Sequence, residues 1–230
     1  LLMGAALVGG PASAQPLPRE TGSPRVKITF TGPPEAVFAR KTDACDGHDV
    51  PDASLRAFRM ADGSITAFGM HNINRALRGQ SLDVLKLDCA IVLQSNHNGD
   101  PAAFDDYSWI TATWTDDGTR VSALIHHEYH ANDHAGRCMF ATMLPCWTNS
   151  ILALTSDNGG KSFRRAKGSP IVAAYPYTQE TGQGRHRGFF NPSNIFAYGD
   201  WKYTFIGTTG WTGQKHGACL FRTKTPDIAS

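Results

Sequence analysis

Concentrated charge is what this sequence most clearly lacks. Of the 230 residues 18% are charged, and the formal net charge is +2. The basic residues are scattered along the chain, whereas proteins that bind nucleic acid or an anionic membrane cluster them on one face. We therefore expect neither nucleic acid nor a membrane as a partner. The hydrophobic content of 41% is ordinary and is enough for one sizeable core, so we expect a single folded domain.

Long hydrophobic runs are missing too. The apolar stretch at residues 1–14 is too short to cross a bilayer, and it ends in Ala12-Ser13-Ala14, the small-residue form of a signal-peptide cleavage site. We interpret 1–14 as a signal-peptide remnant, 15–25 as a proline-rich linker and 26–230 as the domain, truncated at its C-terminus. An apolar tail without a targeting role is the alternative. The signal predicts an extracellular or periplasmic location.

Cysteine spacing of the zinc-binding type is absent as well, because no C-x-x-C pair occurs, and zinc is therefore not expected. The five cysteines suit an oxidising compartment, where disulfides persist. Cys138 and Cys146 bracket a short loop and form the first predicted pair. Cys45 with Cys89 is the second predicted pair. Cys219 is then left as a free thiol, or it joins a partner outside this chain.

Helical periodicity is scarce, and only residues 71–88 have helical or mixed character. Short alternating runs between Asp-Gly-type turns fill most of the remainder. They predict strands at 26–30, 55–59, 65–68, 90–94, 109–114, 121–129, 149–155, 194–198, 201–206 and 218–223. Strand, turn, strand, loop and strand, repeated at roughly 60 to 80 residues, predict an all-β fold of the β-propeller type. A β-sandwich is the competing architecture.

The segment from Val121 to His130 concentrates the most chemistry in the fewest residues. In a strand, successive side chains point to opposite faces, so His126, Glu128 and His130 share one face. The other face carries apolar residues and is expected to be core. A glutamate between two histidines has its pKa set by burial and by those neighbours, which suits an acid in catalysis. The alternative is a strand end at the surface with a hydrogen-bonded carboxylate.

Three segments resemble the five-bladed β-propeller glycoside hydrolases of the arabinanase, xylosidase and fructosidase type. Residues 50–58 are similar to the first-blade segment in which those enzymes place a catalytic aspartate. The strand that ends near Glu128 is the second segment. The third runs from Asn191-Pro-Ser-Asn194 to the strand that ends in Arg222-Thr223. The resemblance implies a propeller that is five-bladed when complete, of which this chain holds about three blades.

A second resemblance concerns the turn Ser156-Asp-Asn158-Gly-Gly160-Lys-Ser-Phe163. It is similar to the Asp-box of sialidases, Ser-x-Asp-x-Gly-x-Thr-Trp, with Asn158 where the box has its aspartate. The box ties a hairpin turn together and is structural. It therefore supports a propeller without selecting a substrate, and a sialidase-like exo-glycosidase is one alternative function.

The first resemblance implies a glycoside hydrolase acting on a plant or microbial polysaccharide or oligosaccharide. Such hydrolysis needs two carboxyl groups, about 5–5.5 Å apart for retention and roughly 6.5–9.5 Å apart for inversion. Asp52 is the expected base or nucleophile and Glu128 the expected acid. Asp106 is the expected third carboxylate, although Asp105 cannot be told apart from it by sequence. Aspartates that only form turns are the alternative for Asp52 and Asp106.

A set of polar and aromatic residues is expected to bind the carbohydrate substrate of a monomeric enzyme: Arg56, His71, Trp109, His126, His130, Asn194 and Arg222. Asn194 and Arg222 rest on the resemblance alone. No cofactor is expected, although a structural cation at the propeller centre stays open. A metal held by His126, Glu128 and His130 is an alternative, but the helical H-E-x-x-H motif is absent. A carbohydrate-binding propeller without catalysis is the alternative from another class.

Overall fold

The computed structural model describes residues 27–167 and 170–224. The predicted signal-peptide remnant and linker, residues 1–14 and 15–25, lie outside the described residues. Residues 27–35 belong to a unit separate from the remainder of the chain and form no regular secondary structure. The strand predicted at 26–30 is therefore wrong for 27–30. Ile28 and Phe30 are 78% and 90% exposed, so alternation there is not accompanied by burial.

From residue 36 the chain is almost entirely β-structure, after one short helix at Arg40–Asp43. The first sheet is an antiparallel meander in the order β1-β2-β3-β4. Its strands are β1 (Pro51–Arg59), β2 (Ile65–Met70), β3 (Asn74–Gly79) and β4 (Lys86–Leu93). Strands occupy half of residues 71–88, the region for which the sequence left helix and strand open, and a short 3₁₀ helix lies at Leu82–Val84. Leu87 lies in β4, opposite Leu77 of β3.

The second sheet is built around β5 (Tyr107–Trp114), β6 (Val121–His130) and β7 (Trp147–Ser156). The short strands β8 (Arg164–Arg165) and β9 (Ile171–Ala173) both pair with β7. The pairing of β6 with β7 is regular along its whole length, which fixes the face on which each β6 side chain lies.

The third unit consists of β11 (Phe196–Tyr198), β12 (Trp201–Thr208) and β13 (Gly217–Thr223), paired in that order. Strand β10 (Arg187–Phe190) joins it to the second sheet, since β10 runs parallel to β7 and antiparallel to β12. Three successive meander units of this kind make the chain a partial β-propeller. The predicted fold class is confirmed.

Strand β6 lies between two hydrophobic clusters. Ile125 packs with Phe68 of the first sheet, while Leu124 packs with Phe189 and Ile206 of the third unit. Both faces of β6 are therefore buried, as the near-continuous burial of Val121–His130 shows. The sequence predicted a core face and a face that ends in a polar cluster. The structure packs a neighbouring unit on each side of β6, so Leu124 on the second face is buried as well.

In each of two turns of the second sheet, one side-chain oxygen accepts two backbone N–H groups. Asn158 Oδ1 accepts the backbone N–H groups of Lys161 and Ser162, both at 3.1 Å. One turn earlier, Asp117 Oδ1 accepts the N–H groups of Thr119 and Arg120, both at 2.8 Å. An asparagine oxygen thus accepts backbone N–H groups in its turn as an aspartate oxygen does, in agreement with a structural role for Asn158.

Two disulfides, Cys45–Cys89 and Cys138–Cys146, are formed as the sequence predicts. Cys219 is a free thiol, in agreement with its being left over. Within the described ranges, no helix is long and apolar enough to span a membrane.

Candidate active site

An open cleft of about 570 Å³ lies where the ends of β5, β6 and β7 meet β1 and the segment after β10. Its polar and aromatic lining comprises Asp52, His71, Tyr107, Trp109, Thr111, His126, Glu128, His130, Trp147, His186, Phe190 and Asn191. The sequence-predicted residues Asp52, His71, Trp109, His126, Glu128 and His130 are all in this group. The structure therefore brings six of the ten predicted site residues into one cleft.

Glu128 is 8% exposed and lies between the two histidines of its own strand face. Its Oε2 is 2.7 Å from His130 Nε2, and its Oε1 is 3.5 Å from His126 Nε2. Burial raises the pKa of the Glu128 carboxyl, and the hydrogen bond from His130 opposes that rise. The negative charge of Asp52 also raises the pKa of Glu128. Glu128 therefore retains its proton to a higher pH than an exposed glutamate.

His126 is an uncharged side chain at neutral pH. Burial first, and then the nearby His186, lower the pKa of His126 to about 3. His186 is also neutral, because burial lowers its pKa to about 4. Asn149 of β7 contacts both rings, with its amide nitrogen at His126 and its oxygen at His186. His126, His186 and Asn149 thus form an uncharged hydrogen-bonded network at the cleft.

His130 is held from several directions. Its backbone N–H donates to Asp106 Oδ2 at 2.8 Å, and the Tyr107 ring stacks on the imidazole with the centroids 4.4 Å apart. Tyr107 in turn donates its hydroxyl to Asp133 at 3.1 Å. Burial and that bond raise the pKa of Tyr107 to about 12, so the hydroxyl stays protonated. The contacts fix the imidazole whose Nε2 faces Glu128.

Asp52 occupies a more solvated position than Glu128. Its side chain is 48% exposed, and its Oδ2 accepts a hydrogen bond from Trp109 Nε1 at 3.0 Å. His71 Nε2 lies 3.7 Å from the same oxygen. Asp52 is the second residue of β1, and not part of a preceding loop as its sequence suggests. Its carboxylate bonds to an indole 57 residues away, which is not a turn-forming contact.

Asp106 does not line the cleft. It is fully buried behind the strand end, where its Oδ2 accepts the His130 N–H and lies 3.1 Å from His134 Nε2. Asp105 points elsewhere and accepts a hydrogen bond from Asn96 Nδ2 at 2.6 Å. The structure therefore separates the two aspartates that the sequence leaves equivalent. Asp106 can support His130, but its burial prevents contact with a ligand in the cleft.

Three predicted binding residues are engaged outside the lining of the cleft. Arg56 donates to backbone oxygens of Thr111 and Pro192 at 2.6 and 3.1 Å. Asn194 Oδ1 accepts the Thr113 N–H at 2.9 Å. The Arg222 guanidinium lies over the Trp201 ring, 4.2 Å from its centroid. None of the three lines the cleft, and each side chain makes contacts within or between strands.

The predicted site residues do not include Tyr107, His186 and Asn191, which line the cleft, or Asn149, which contacts two of its histidines. His186 and Asn191 flank β10, a strand that no alternating pattern predicts. Asn191 adopts a left-handed backbone conformation with φ of 48°, which asparagine tolerates better than most residues. The dipeptide Asn191-Pro192 marks a turn, and it begins the third segment that resembles the propeller glycoside hydrolases.

The metal alternative finds no support in the described part of the chain, where no three His, Cys, Asp or Glu side chains are arranged to hold an ion. His126, Glu128 and His130 do converge, as the alternation of β6 predicts. Their nitrogen and oxygen atoms face one another as hydrogen-bonding partners, however, with 2.7 Å between His130 Nε2 and Glu128 Oε2.

No family model and no curated protein matches this chain. Among solved structures, it is similar to a glycosyl hydrolase from Bacteroides ovatus, with 12% identity and a TM-score of 0.48 over 78% of this chain and 50% of that one. A second, described as a GH130-family glycoside hydrolase that targets β-1,2 mannosidic linkages in Candida mannan, has 14% identity and a TM-score of 0.45, with 78% and 50% covered.

An exo-1,5-α-L-arabinanase from a bovine ruminal metagenomic library has 10% identity and a TM-score of 0.38, with 79% of this chain and 74% of that one covered. The chain spans about half the length of the first two structures. All three are structures of glycoside hydrolases, the class that the sequence segments resemble. Likeness at this level assigns neither a substrate nor a reaction to this chain.

Proposed function

We propose that this chain is a secreted glycoside hydrolase that cleaves glycosidic bonds in a plant or microbial polysaccharide or oligosaccharide. The observation that carries the proposal is the presence of two carboxyl groups with opposite environments in one cleft. Glu128 is buried with a raised pKa, whereas Asp52 is half-exposed and bonded to an indole N–H. Pairs of carboxyl groups kept in different protonation states are what glycoside hydrolysis requires.

Glu128 acts as the general acid in this proposal. A buried carboxyl with a raised pKa holds a proton that it can give to the leaving oxygen of a glycosidic bond. His130 Nε2 holds one carboxyl oxygen through a hydrogen bond of 2.7 Å, and His126 Nε2 lies 3.5 Å from the other oxygen. The acid therefore combines a defined position with a transferable proton.

Asp52 acts as the base or nucleophile. Its side chain is half exposed, and the Trp109 indole directs one carboxylate oxygen through a hydrogen bond of 3.0 Å. The second oxygen is then available for a water molecule or for the sugar itself. Both the inverting and the retaining route use a carboxylate in this way.

The remaining residues of the cleft bind the sugar. Trp109, Trp147 and Tyr107 supply flat aromatic surfaces, and His71, His186 and Asn191 supply polar groups around them. A cleft with apolar surfaces and a few placed polar groups is the usual form of a small-molecule site. Asp106 takes the role of a positioning residue, since it reaches the chemistry only through the His130 backbone.

The proposal is tested with Glu128→Gln and Asp52→Asn in the full-length protein, assayed by release of reducing sugar from a panel that includes arabinan and β-1,2-mannan. Each variant is expected to lose hydrolysis by about a hundredfold to ten-thousandfold while retaining affinity for the same glycan. Asp105→Asn is the matched control, because that carboxylate bonds to Asn96 outside the cleft. Variants as active as the wild type would contradict the assignment.

A non-catalytic carbohydrate-binding propeller is the second candidate. The aromatic residues of the cleft favour it, since Trp109 and Trp147 would hold a sugar ring without any chemistry. The fate of the bound glycan distinguishes the two candidate functions. A binding module retains its glycan intact in the wild type, whereas the enzyme converts it, and Trp147→Ala weakens binding in both cases.

A further inference from the structure

The connection between β6 and β7 supplies part of the wall of the candidate active-site cleft. Within this connection Cys138 and Cys146 form a disulfide, and residues 138–146 are called the disulfide loop below. Met143 of the disulfide loop is partly exposed and lines the cleft. The cleft is open, so a molecule bound in it can contact Met143 directly.

The disulfide loop is fixed at both ends. Cys146 is fully buried in a cluster with Tyr129 of β6, and its backbone N–H donates to the Met143 carbonyl oxygen at 3.0 Å. At the other end, the Met139 N–H donates to the Thr181 carbonyl oxygen, also at 3.0 Å. A wall that is already ordered loses little entropy when a ligand packs against it, which favours binding.

The disulfide loop adjoins the proposed acid. His130 and Trp147 are the last residue pair of β6 and β7 and flank the connection, with their rings edge to face and the centroids 5.5 Å apart. His130 Nε2 is in turn 2.7 Å from Glu128 Oε2. The proposed base or nucleophile, Asp52, belongs to β1 of the first sheet. The disulfide loop and Asp52 therefore approach the cleft from different sheets, and Glu128 shares its sheet with the loop.

Glycoside hydrolysis places different parts of the substrate beside the two carboxyl groups. The acid must lie within about 2.6–3.2 Å of the glycosidic oxygen that it protonates, and the leaving-group sugar is attached to that oxygen. The base or nucleophile acts at the anomeric carbon of the other sugar. An accessible side chain next to the acid is thus placed to contact the leaving-group sugar. A methionine suits this contact, because its thioether is polarizable and adapts its shape to an apolar surface such as the C–H groups of a sugar ring.

We propose that the disulfide loop binds the leaving-group sugar of the substrate, with Met143 packed against its ring. This assignment rests on the proposed hydrolysis and adds a substrate preference to it. A glycan with a sugar on the acid side of the glycosidic bond gains the contact with Met143, whereas a glycoside with a small leaving group does not.

The test compares two substrates of the same sugar in the full-length protein: a trisaccharide, either α-1,5-arabinotriose or β-1,2-mannotriose, and the corresponding glycosyl fluoride. Fluoride departs without protonation and carries no ring to contact Met143. Met143→Ala is expected to lower kcat/KM for the trisaccharide about tenfold through KM and to leave that for the fluoride unchanged. Met143→Leu is expected to remain close to the wild type on both substrates, because it conserves the apolar volume.

Met139→Ala is the matched control. Met139 is a methionine of the same loop, but it is 72% exposed and does not line the cleft, so both substrates are expected to react as with the wild type. Equal losses on the trisaccharide and the fluoride in Met143→Ala overturn the proposal. An unchanged kcat/KM for the trisaccharide in Met143→Ala, or a loss of the same size in Met139→Ala, does so too.

Calorimetric titration with the trisaccharide in Glu128→Gln separates this proposal from the proposed hydrolysis, because the glycan stays intact there. Addition of Met143→Ala is expected to weaken the affinity about tenfold, a loss of roughly 1.4 kcal/mol. If the wild type hydrolyses neither substrate but this loss is found, the hydrolysis is refuted and the contact between the loop and the sugar is supported. If the wild type hydrolyses both substrates and the affinity is unchanged, the role of the disulfide loop alone is refuted.

Discussion

The Nε2 atom of His130 lies 2.7 Å from Oε2 of Glu128, two residues earlier on the same strand face. This hydrogen bond lowers the pKa of the Glu128 carboxyl, in opposition to burial, which raises it. The protonation state of the proposed acid is therefore a balance between two features of β6. Changes at His130 test that balance without altering the acid itself.

His130→Phe is expected to move the upper limb of the pH–activity profile to higher pH. The phenyl ring preserves the stacking on Tyr107 but removes the bond that lowers the pKa of Glu128. A general acid must be protonated, so a higher pKa extends activity upwards in pH. The measurement is kcat/KM against pH, with the exposed His48→Phe as control. A limb displaced to lower pH would contradict the account.

Trp109→Phe is expected to lower kcat by about tenfold to a hundredfold, because Asp52 loses the N–H that directs its carboxylate. The chain offers a close control in Trp114→Phe. Trp114 is on the same strand and donates its indole N–H to Asp116, also at 3.0 Å, but it lies outside the cleft. Equal losses of activity in the two variants would show that the bond to Asp52 has no special role.

Asp106→Ala is expected to lower the free energy of unfolding by about 1–3 kcal/mol, since the buried N–H of His130 loses its acceptor. Asp106→Asn retains an acceptor oxygen and is expected to cost less. Urea unfolding of both variants gives the comparison. If Asp106 acted only through its charge, the two losses would be equal.

The free energy of unfolding is expected to fall as the pH is lowered from about 6.5 towards 3. The pKa values of His126 and His127 are about 3 in the folded chain and near 6.5 when unfolded, so the unfolded state binds protons first. Each histidine contributes a slope on the order of 1 kcal/mol per pH unit in that range. Glu128 contributes a slope of the opposite sign, because its pKa is raised in the folded state. Above its unfolded pKa, its contribution to the free energy of unfolding falls as the pH rises. Urea unfolding at a series of pH values measures the slope. A free energy of unfolding that does not change between about pH 6.5 and pH 3 would contradict the burial of these two histidines as neutral rings.

Loss of Cys45–Cys89 is expected to destabilise the protein more than loss of Cys138–Cys146. The two bonds join residues 44 and 8 positions apart, and closing a longer loop removes more entropy from the unfolded chain. The chain-entropy relation gives about 4 kcal/mol for the longer loop and about 2.5 kcal/mol for the shorter one. Paired Cys→Ser variants in chemical denaturation provide the test. The reverse order would mean that strain, or residual structure in the unfolded state, outweighs loop length in setting the contribution of each disulfide to stability.

Much of the site could be predicted because it depends on local alternation. The period of two along β6 placed His126, Glu128 and His130 on one face, and the structure confirms it. The same pattern could not reveal that Met143 also lines the cleft, because that depends on the path of the connection between β6 and β7. Alternation specifies which side chains share a face, but not what packs against that face.

The contacts that the sequence did not reveal have the same origin. Arg222 is close to a strand end that resembles a blade signature, yet its guanidinium stacks on Trp201 of the neighbouring strand. His186 enters the cleft from a segment with no pattern, through contacts with Asn149 and Trp147. Contacts between residues 37 or more positions apart are set by how the sheets pack, and one sequence contains no direct record of that packing.

The proposed pair of carboxyl groups is tested most directly by the response of two variants to the leaving group. Two glycosides of the preferred sugar are compared. In one the leaving group is a natural sugar, and in the other it is dinitrophenol, which departs without protonation. Glu128→Gln is expected to lose hydrolysis of the natural linkage but to retain that of the dinitrophenyl glycoside, whereas Asp52→Asn loses both. If Glu128→Gln lost both substrates equally, or retained both, Glu128 would not be the acid.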